Sequence, residues 1–148
     1  MKISSIRELE KISNKISKIL LPGDVIFLYG EIGVGKTTFS RLLINNLEDK
    51  KKVKKSEVLS PTFNIVFEYK VKEFTIKHFD LYRIKKINEI KNIGLFEDND
   101  QFITLIEWPD LIKLKPSNRL DIFFKYEKGY NERTLVIKHY GRFTNHEF

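Results

Sequence analysis

A run of apolar residues, Val25-Ile26-Phe27-Leu28-Tyr29, leads directly into Gly30-Glu31-Ile32-Gly33-Val34-Gly35-Lys36-Thr37. The run is strand length and lacks polar alternation, so both of its faces must be covered. The glycine segment fits G-x-x-x-x-G-K-[ST]. Thr38 to Leu47 continues as a helix, with Phe39, Leu42, Leu43 and Leu47 on one side. Strand, glycine loop and helix in this order form a unit whose loop amides turn inward, toward the positive end of the helix dipole. Such a loop takes phosphate. Lys36 reaches the β- and γ-phosphates, and the Thr37 hydroxyl is placed to ligate Mg²⁺.

The rest of the chain supplies a small sheet around that unit. Ile6, Leu9, Ile12, Ile16, Ile19 and Leu20 recur at helical spacing; Ser5 and Glu8 have capping-box spacing, and Pro22-Gly23 ends the helix. Strand character is expected over Phe63–Tyr69, Phe74–Phe79, Phe102–Ile106, Leu120–Tyr126 and Arg133–His139, with a turn at Lys128-Gly129-Tyr130-Asn131. Ile84, Ile87, Ile90 and Ile93 predict a further helix ending at Gly94. Helix and strand alternate early and strands dominate late. The reading is α/β: a P-loop NTPase-like mixed sheet flanked by helices on both faces, with additional antiparallel strands. At 148 residues it is expected to be one domain, 1–148.

A phosphate loop needs a second partner for its metal, normally a carboxylate at the end of a neighbouring buried strand. Two residues qualify. Glu107 closes the apolar strand Phe102-Ile103-Thr104-Leu105-Ile106. Asp80, in His78-Phe79-Asp80-Leu81-Tyr82-Arg83, would hold the metal through water or orient an attacking water. His78 is expected to pack rather than react. Arg83 would pair either with Asp80 or with phosphate.

Composition removes other classes. The chain has no cysteine, which excludes a disulfide scaffold, thiolate zinc and cysteine nucleophiles. No apolar run reaches the roughly 20 residues of a membrane helix, and Met1-Lys2-Ile3-Ser4-Ser5 does not resemble a signal peptide, so a cytoplasmic protein is expected. The net charge of +7 admits nucleic acid as a partner, but lysine dominates and alanine is absent, a skew that also follows from an AT-rich genome. The densest basic run, Lys50-Lys51-Lys52-Val53-Lys54-Lys55, reads as a solvated loop. The chain has no D-x-x-G, and its only Asn-Lys pair, Asn14-Lys15, precedes the glycine loop, so ATP is favoured over GTP. The arginines form no lid-like cluster, which weakens a small-molecule kinase without removing it.

Four segments then occur in order: the loop Gly30–Thr37 with Thr38-Phe39, Ser60-Pro61-Thr62-Phe63, His78-Phe79-Asp80-Leu81-Tyr82-Arg83, and Ile106-Glu107-Trp108-Pro109. Together they resemble the TsaE (YjeE) family, small bacterial ATPases of tRNA threonylcarbamoyladenosine biosynthesis. The resemblance implies ATP and Mg²⁺ as ligands and slow hydrolysis in the service of TsaD and TsaB proteins, with tRNA reached only through that complex. It implies that Ile32, Gly33, Val34, Gly35, Lys36, Thr37 and Thr38 hold the phosphates, with Gly30 opening the loop, and that Thr37 and Glu107 hold Mg²⁺. It places Asp80 in the motif needed for hydrolysis, Thr62 in a switch loop near the γ-phosphate, and Trp108 beside the site. Two rival functions remain beside it: a P-loop small-molecule kinase, and a basic tRNA-binding module with structural ATP.

Overall fold

In a computed structural model describing residues 1–148, the chain runs β1 (Lys2–Ile3), α1 (Ile6–Ser17), β2 (Val25–Tyr29), α2 (Lys36–Lys50), β3 (Val66–Val71), β4 (Phe74–Asp80), α3 (Ile87–Lys91), β5 (Phe102–Glu107), β6 (Arg119–Tyr126) and β7 (Arg133–Tyr140). The strands form one mixed sheet in the order β1-β7-β6-β2-β5-β4-β3. Its centre is parallel: β2 lies between β5 and β6, and β4 continues beyond β5. Antiparallel pairs, β3 with β4 and β6 with β7, close the two sides.

Burial follows the expected patterns. The residues Val25 to Leu28 of β2 are fully buried, as an apolar run between two parallel neighbours should be. Helices α1 and α2 lie on one face, where Ile16, Phe39, Leu43 and Ile44 pack on Ile26, Leu28, Ile76 and Leu105 in the larger core. The smaller core covers the other face. There Phe27, Phe79 and Ile106 meet Leu81, Ile84, Leu95 and Ile112, with α3 alongside. Helix α1 has its capping box: the Glu8 amide donates to Ser5 Oγ at 3.3 Å, and the Ser5 amide donates to Glu8 Oε2 at 3.2 Å.

Several features differ from the sequence reading. Helix α1 stops at Ser17, well before Pro22. The Leu21 amide donates to Asp24 Oδ2 at 2.7 Å, and the Arg142 guanidinium donates to Ile19 O at 2.7 Å and pairs with Asp24, so a turn held by a buried carboxylate replaces the last helical turn. Ile6, expected on the buried face, is 64% exposed because it opens the helix beyond the edge of the core. The strand expected from Phe63 begins only at Val66. Phe63 is 82% exposed, and Ile65 takes φ +68° with its amide donating to Pro61 O at 2.5 Å, so a turn occupies 61–65. The isoleucine-spaced helix contracts to Ile87–Lys91, because Ile84 is drawn into the core by its own turn onto Leu81 O. The two-residue strand β1 carried no periodic signal at all.

Phe39 is completely buried against Phe124, ring centroids 5.9 Å apart, and anchors α2 to the sheet. Phe39→Ala should destabilise the fold by about 3–5 kcal/mol in denaturant unfolding. A loss below about 1 kcal/mol would show that α2 does not depend on this contact.

Candidate functional site

The site forms where the carboxyl ends of β2, β5 and β4 meet the amino end of α2. Strand β2 delivers the chain into the loop through Gly30, whose φ is +143°. A Cβ there would stand 2.7 Å from Phe124 O and 2.9 Å from Val34 Cγ1, so only glycine fits. Val34 is fully buried beneath the loop and supports it from below. Helix α2 starts from Gly35 at φ +119°, with no side-chain cap and no acidic residue in its first turn. The first helical amide bond is Phe39 N to Gly35 O, at 2.9 Å. The amides of Lys36, Thr37 and Thr38 therefore have no helical acceptor and form an anion-binding end.

Lys36 is 4% exposed and turns back along the loop. Its Nζ donates to Gly30 O at 2.5 Å and to Glu31 O at 2.8 Å, and lies 3.9 Å from the centroid of the Trp108 ring. Burial pushes its pKa below the ordinary lysine value, with Glu107 and Asp80 opposing the shift. Trp108 itself takes φ +58°, a left-handed conformation that a bulky residue rarely adopts. Its amide donates to Leu28 O at 3.3 Å, and its ring packs against Tyr82 at 4.9 Å. The bend after β5 thus turns the indole toward the lysine.

The two carboxylates stand side by side, because Asp80 of β4 pairs in register with Glu107 of β5. Both are nearly inaccessible to solvent. Glu107 Oε2 accepts from Thr37 Oγ1 at 3.0 Å, and Oε1 accepts from His78 Nε2 at 2.8 Å. The Ser40 hydroxyl lies 3.1 Å from Lys36 O and 3.3 Å from Glu107 Oε1; with one proton, it donates to one of them at a time. Asp80 Oδ2 accepts from Ser60 Oγ at 3.0 Å and Thr62 Oγ1 at 2.9 Å, and Oδ1 accepts from the Tyr82 amide at 2.9 Å. The Ser60–Phe63 loop is thereby tied to the Asp80 carboxylate.

One cavity of about 250 Å³ gathers these groups. Ile32, Gly33, Gly35, Lys36, Thr37, Thr38, Thr62, Asp80, Glu107 and Trp108 line it, with Ser60 and Tyr82. Gly30 and Val34 shape the loop from behind. Arg83 turns away and stacks over Phe63, 5.1 Å from its centroid. Sequence reading missed Ser40 and left His78 as packing. The signals existed: Ser40 lies three residues after Thr37 on one helix face, and His78 and Asp80 alternate on one face of β4. A hydroxyl beside a carboxylate, under a lysine and uncapped helix amides, suits a hard divalent cation with a polyphosphate.

Fold and site together define a P-loop NTPase-like α/β protein. The family described as "Threonylcarbamoyl adenosine biosynthesis protein TsaE" matches residues 3–135, and the chain belongs to it. Proteins named "tRNA threonylcarbamoyladenosine biosynthesis protein TsaE" are similar over most of this chain. That of Rickettsia felis is 38% identical, the match covering 72% of this chain and 60% of the relative. That of Bacillus subtilis is 34% identical over 90% of this chain and 81% of its own. The chain thus spans about three fifths of the Rickettsia felis protein's length. The crystal structure of YdiB from Bacillus subtilis superimposes with a TM-score of 0.70 at 26% identity, covering 95% of this chain and 84% of that one. No helix is long and apolar enough to cross a membrane.

Gly30→Ala combines a left-handed φ with a backbone clash and should destabilise by about 2 kcal/mol or more. Gly129→Ala, with nothing within 4 Å of its Cβ, should cost only about 1 kcal/mol. Paired thermal unfolding of the two variants checks this, and equal losses would contradict the close approach to Phe124.

Proposed function

We propose that this chain binds ATP in the loop cavity with Mg²⁺ at Thr37 and Glu107, hydrolyses it slowly, and serves tRNA threonylcarbamoyladenosine synthesis as an accessory protein of TsaD- and TsaB-like partners. The observation that carries the reading is the 3.0 Å contact of Thr37 Oγ1 with Glu107 Oε2, beside Lys36 and the uncapped start of α2. Membership in the TsaE family supports the pathway.

The chemistry falls to identifiable groups. The amides of Lys36, Thr37 and Thr38 would bind phosphate oxygens at the positive end of α2. Lys36 would exchange the carbonyls of Gly30 and Glu31 for phosphate, which returns its ammonium to a full counter-charge. A divalent cation held by Thr37 and Glu107 supplies further neutralisation of phosphate charge. Asp80 is held by Ser60 and Thr62. Withdrawal of the Ser60–Phe63 loop frees Oδ2 to orient an attacking water and accept its proton. The loop position would then report nucleotide state to a partner.

Titration with ATP and Mg²⁺ tests the assignment. Lys36→Ala should weaken ATP binding about 10- to 100-fold, the loss of a charge-assisted contact. Glu107→Ala should raise the Mg²⁺ needed for half-maximal hydrolysis at least about tenfold. Asp80→Ala should keep affinity within about threefold and lose turnover by about 100-fold or more. Unchanged ATP affinity in Lys36→Ala would refute the site.

The lowered Lys36 pKa adds a pH signature. The lysine binds phosphate as a cation, so affinity falls as pH rises through the pKa of the free protein, and that fall begins below the ordinary lysine range near pH 10.4. ADP titrations in EDTA from neutral pH up to the ordinary lysine pKa near 10.4 should show the decline setting in before that value is reached. A flat profile would contradict it.

A further inference from the structure

The proposed mechanism leaves one buried titratable side chain unused. His78 is completely inaccessible to solvent. It sits on β4 two residues before Asp80, on the face that α2 covers, where Ile76 precedes it in the core. Its Nε2 lies 2.8 Å from Glu107 Oε1, while its Nδ1 is buried with no hydrogen-bond partner.

These two facts settle the tautomer. A proton on Nδ1 would bury an unpaired N–H and set the Nε2 lone pair against a carboxylate oxygen, two penalties at once. A proton on Nε2 alone satisfies the short contact and leaves only an unpaired lone pair at Nδ1. The imidazole therefore donates from Nε2 to Glu107. That donation matters because the other donor near Oε1 is not committed: the Ser40 hydroxyl is shared with Lys36 O, which is the closer acceptor. Oε2 faces Thr37 and the cavity. One oxygen of Glu107 is fixed from behind by the imidazole, and the other is presented forward.

We infer that His78 is a positioning residue for the cation site: its Nε2–H holds the Glu107 carboxylate so that Oε2 stays beside the Thr37 hydroxyl. The inference rests on the proposed Mg²⁺–ATP reading and deepens it. It does not require His78 to change protonation or to touch nucleotide. Outer-shell donors of this kind set the orientation of a carboxylate ligand, and their loss typically costs 10- to 100-fold in metal affinity.

The test separates metal affinity from nucleotide affinity. Trp108 is the only tryptophan and stands over Lys36, so its fluorescence reports occupancy of the loop. Nucleotide is titrated in EDTA, then Mg²⁺ is titrated at fixed nucleotide, for wild type, His78→Gln and His78→Asn. The Gln amide reaches the position of Nε2, and the Asn amide reaches only that of Nδ1. His78→Asn should raise half-saturating Mg²⁺ about tenfold or more while keeping ADP affinity in EDTA within about twofold. His78→Gln should recover Mg²⁺ affinity to within about threefold of wild type. Equal Mg²⁺ affinity in all three proteins would overturn the role of His78 and leave the Mg²⁺–ATP reading standing. Equal weakening of both variants in EDTA and Mg²⁺ alike would also overturn it, since that is the mark of a packing residue. A wild-type chain that shows no Mg²⁺-dependent nucleotide binding would refute the underlying reading and this inference with it.

Discussion

The Glu107 carboxylate joins parts of the chain that lie far apart in sequence. Through Thr37 it touches the start of α2, and through His78 it touches β4. A buried carboxylate is costly unless its oxygens are paired. Here the pairing also spaces the loop, the helix and the two strands. The cavity opens beside this connection. The same charge, with Asp80, opposes the desolvation of Lys36.

The sheet makes that carboxylate available. β2 is the central strand, parallel to β5 and β6, so its carboxyl end opens at the same edge as theirs. β4 runs parallel to β5, which brings Asp80 level with Glu107. Ligands of open α/β sheets gather at the carboxyl ends of strands. In this fold the loop amides and both acids lie there, and Trp108 turns back over Lys36 immediately after β5. The left-handed backbone at Trp108 is strain stored beside the site, held by its amide bond to Leu28 O and by Tyr82.

Much of this was legible in the residues. The β2–loop–α2 unit, the capped first helix, and Glu107 at the end of an apolar strand all follow from local pattern and glycine chemistry. Where reading failed, long-range contacts overrode local propensity. Phe63 to Ile65 have strand composition, but Thr62 is bonded to Asp80 and the chain must turn. The isoleucine spacing from Ile84 to Ile93 suits a helix, but Ile84 serves the core beneath Phe79 and only a single short turn of helix remains. β1 exists because β7 offers it an edge at Thr134 and Arg133. His78 illustrates the general limit. Its alternation with Asp80 gave the face it lies on, but not the carboxylate 29 residues away that accepts its hydrogen bond.

The most direct measurement is a crystal structure of the chain grown with a non-hydrolysable ATP analogue and Mg²⁺. The expected result is a polyphosphate wrapped by the amides of Lys36 to Thr38, the Lys36 ammonium moved from Gly30 O onto phosphate, and the cation between Thr37 and Glu107. A polyphosphate bound anywhere else, or a cation that ignores Glu107, would contradict it.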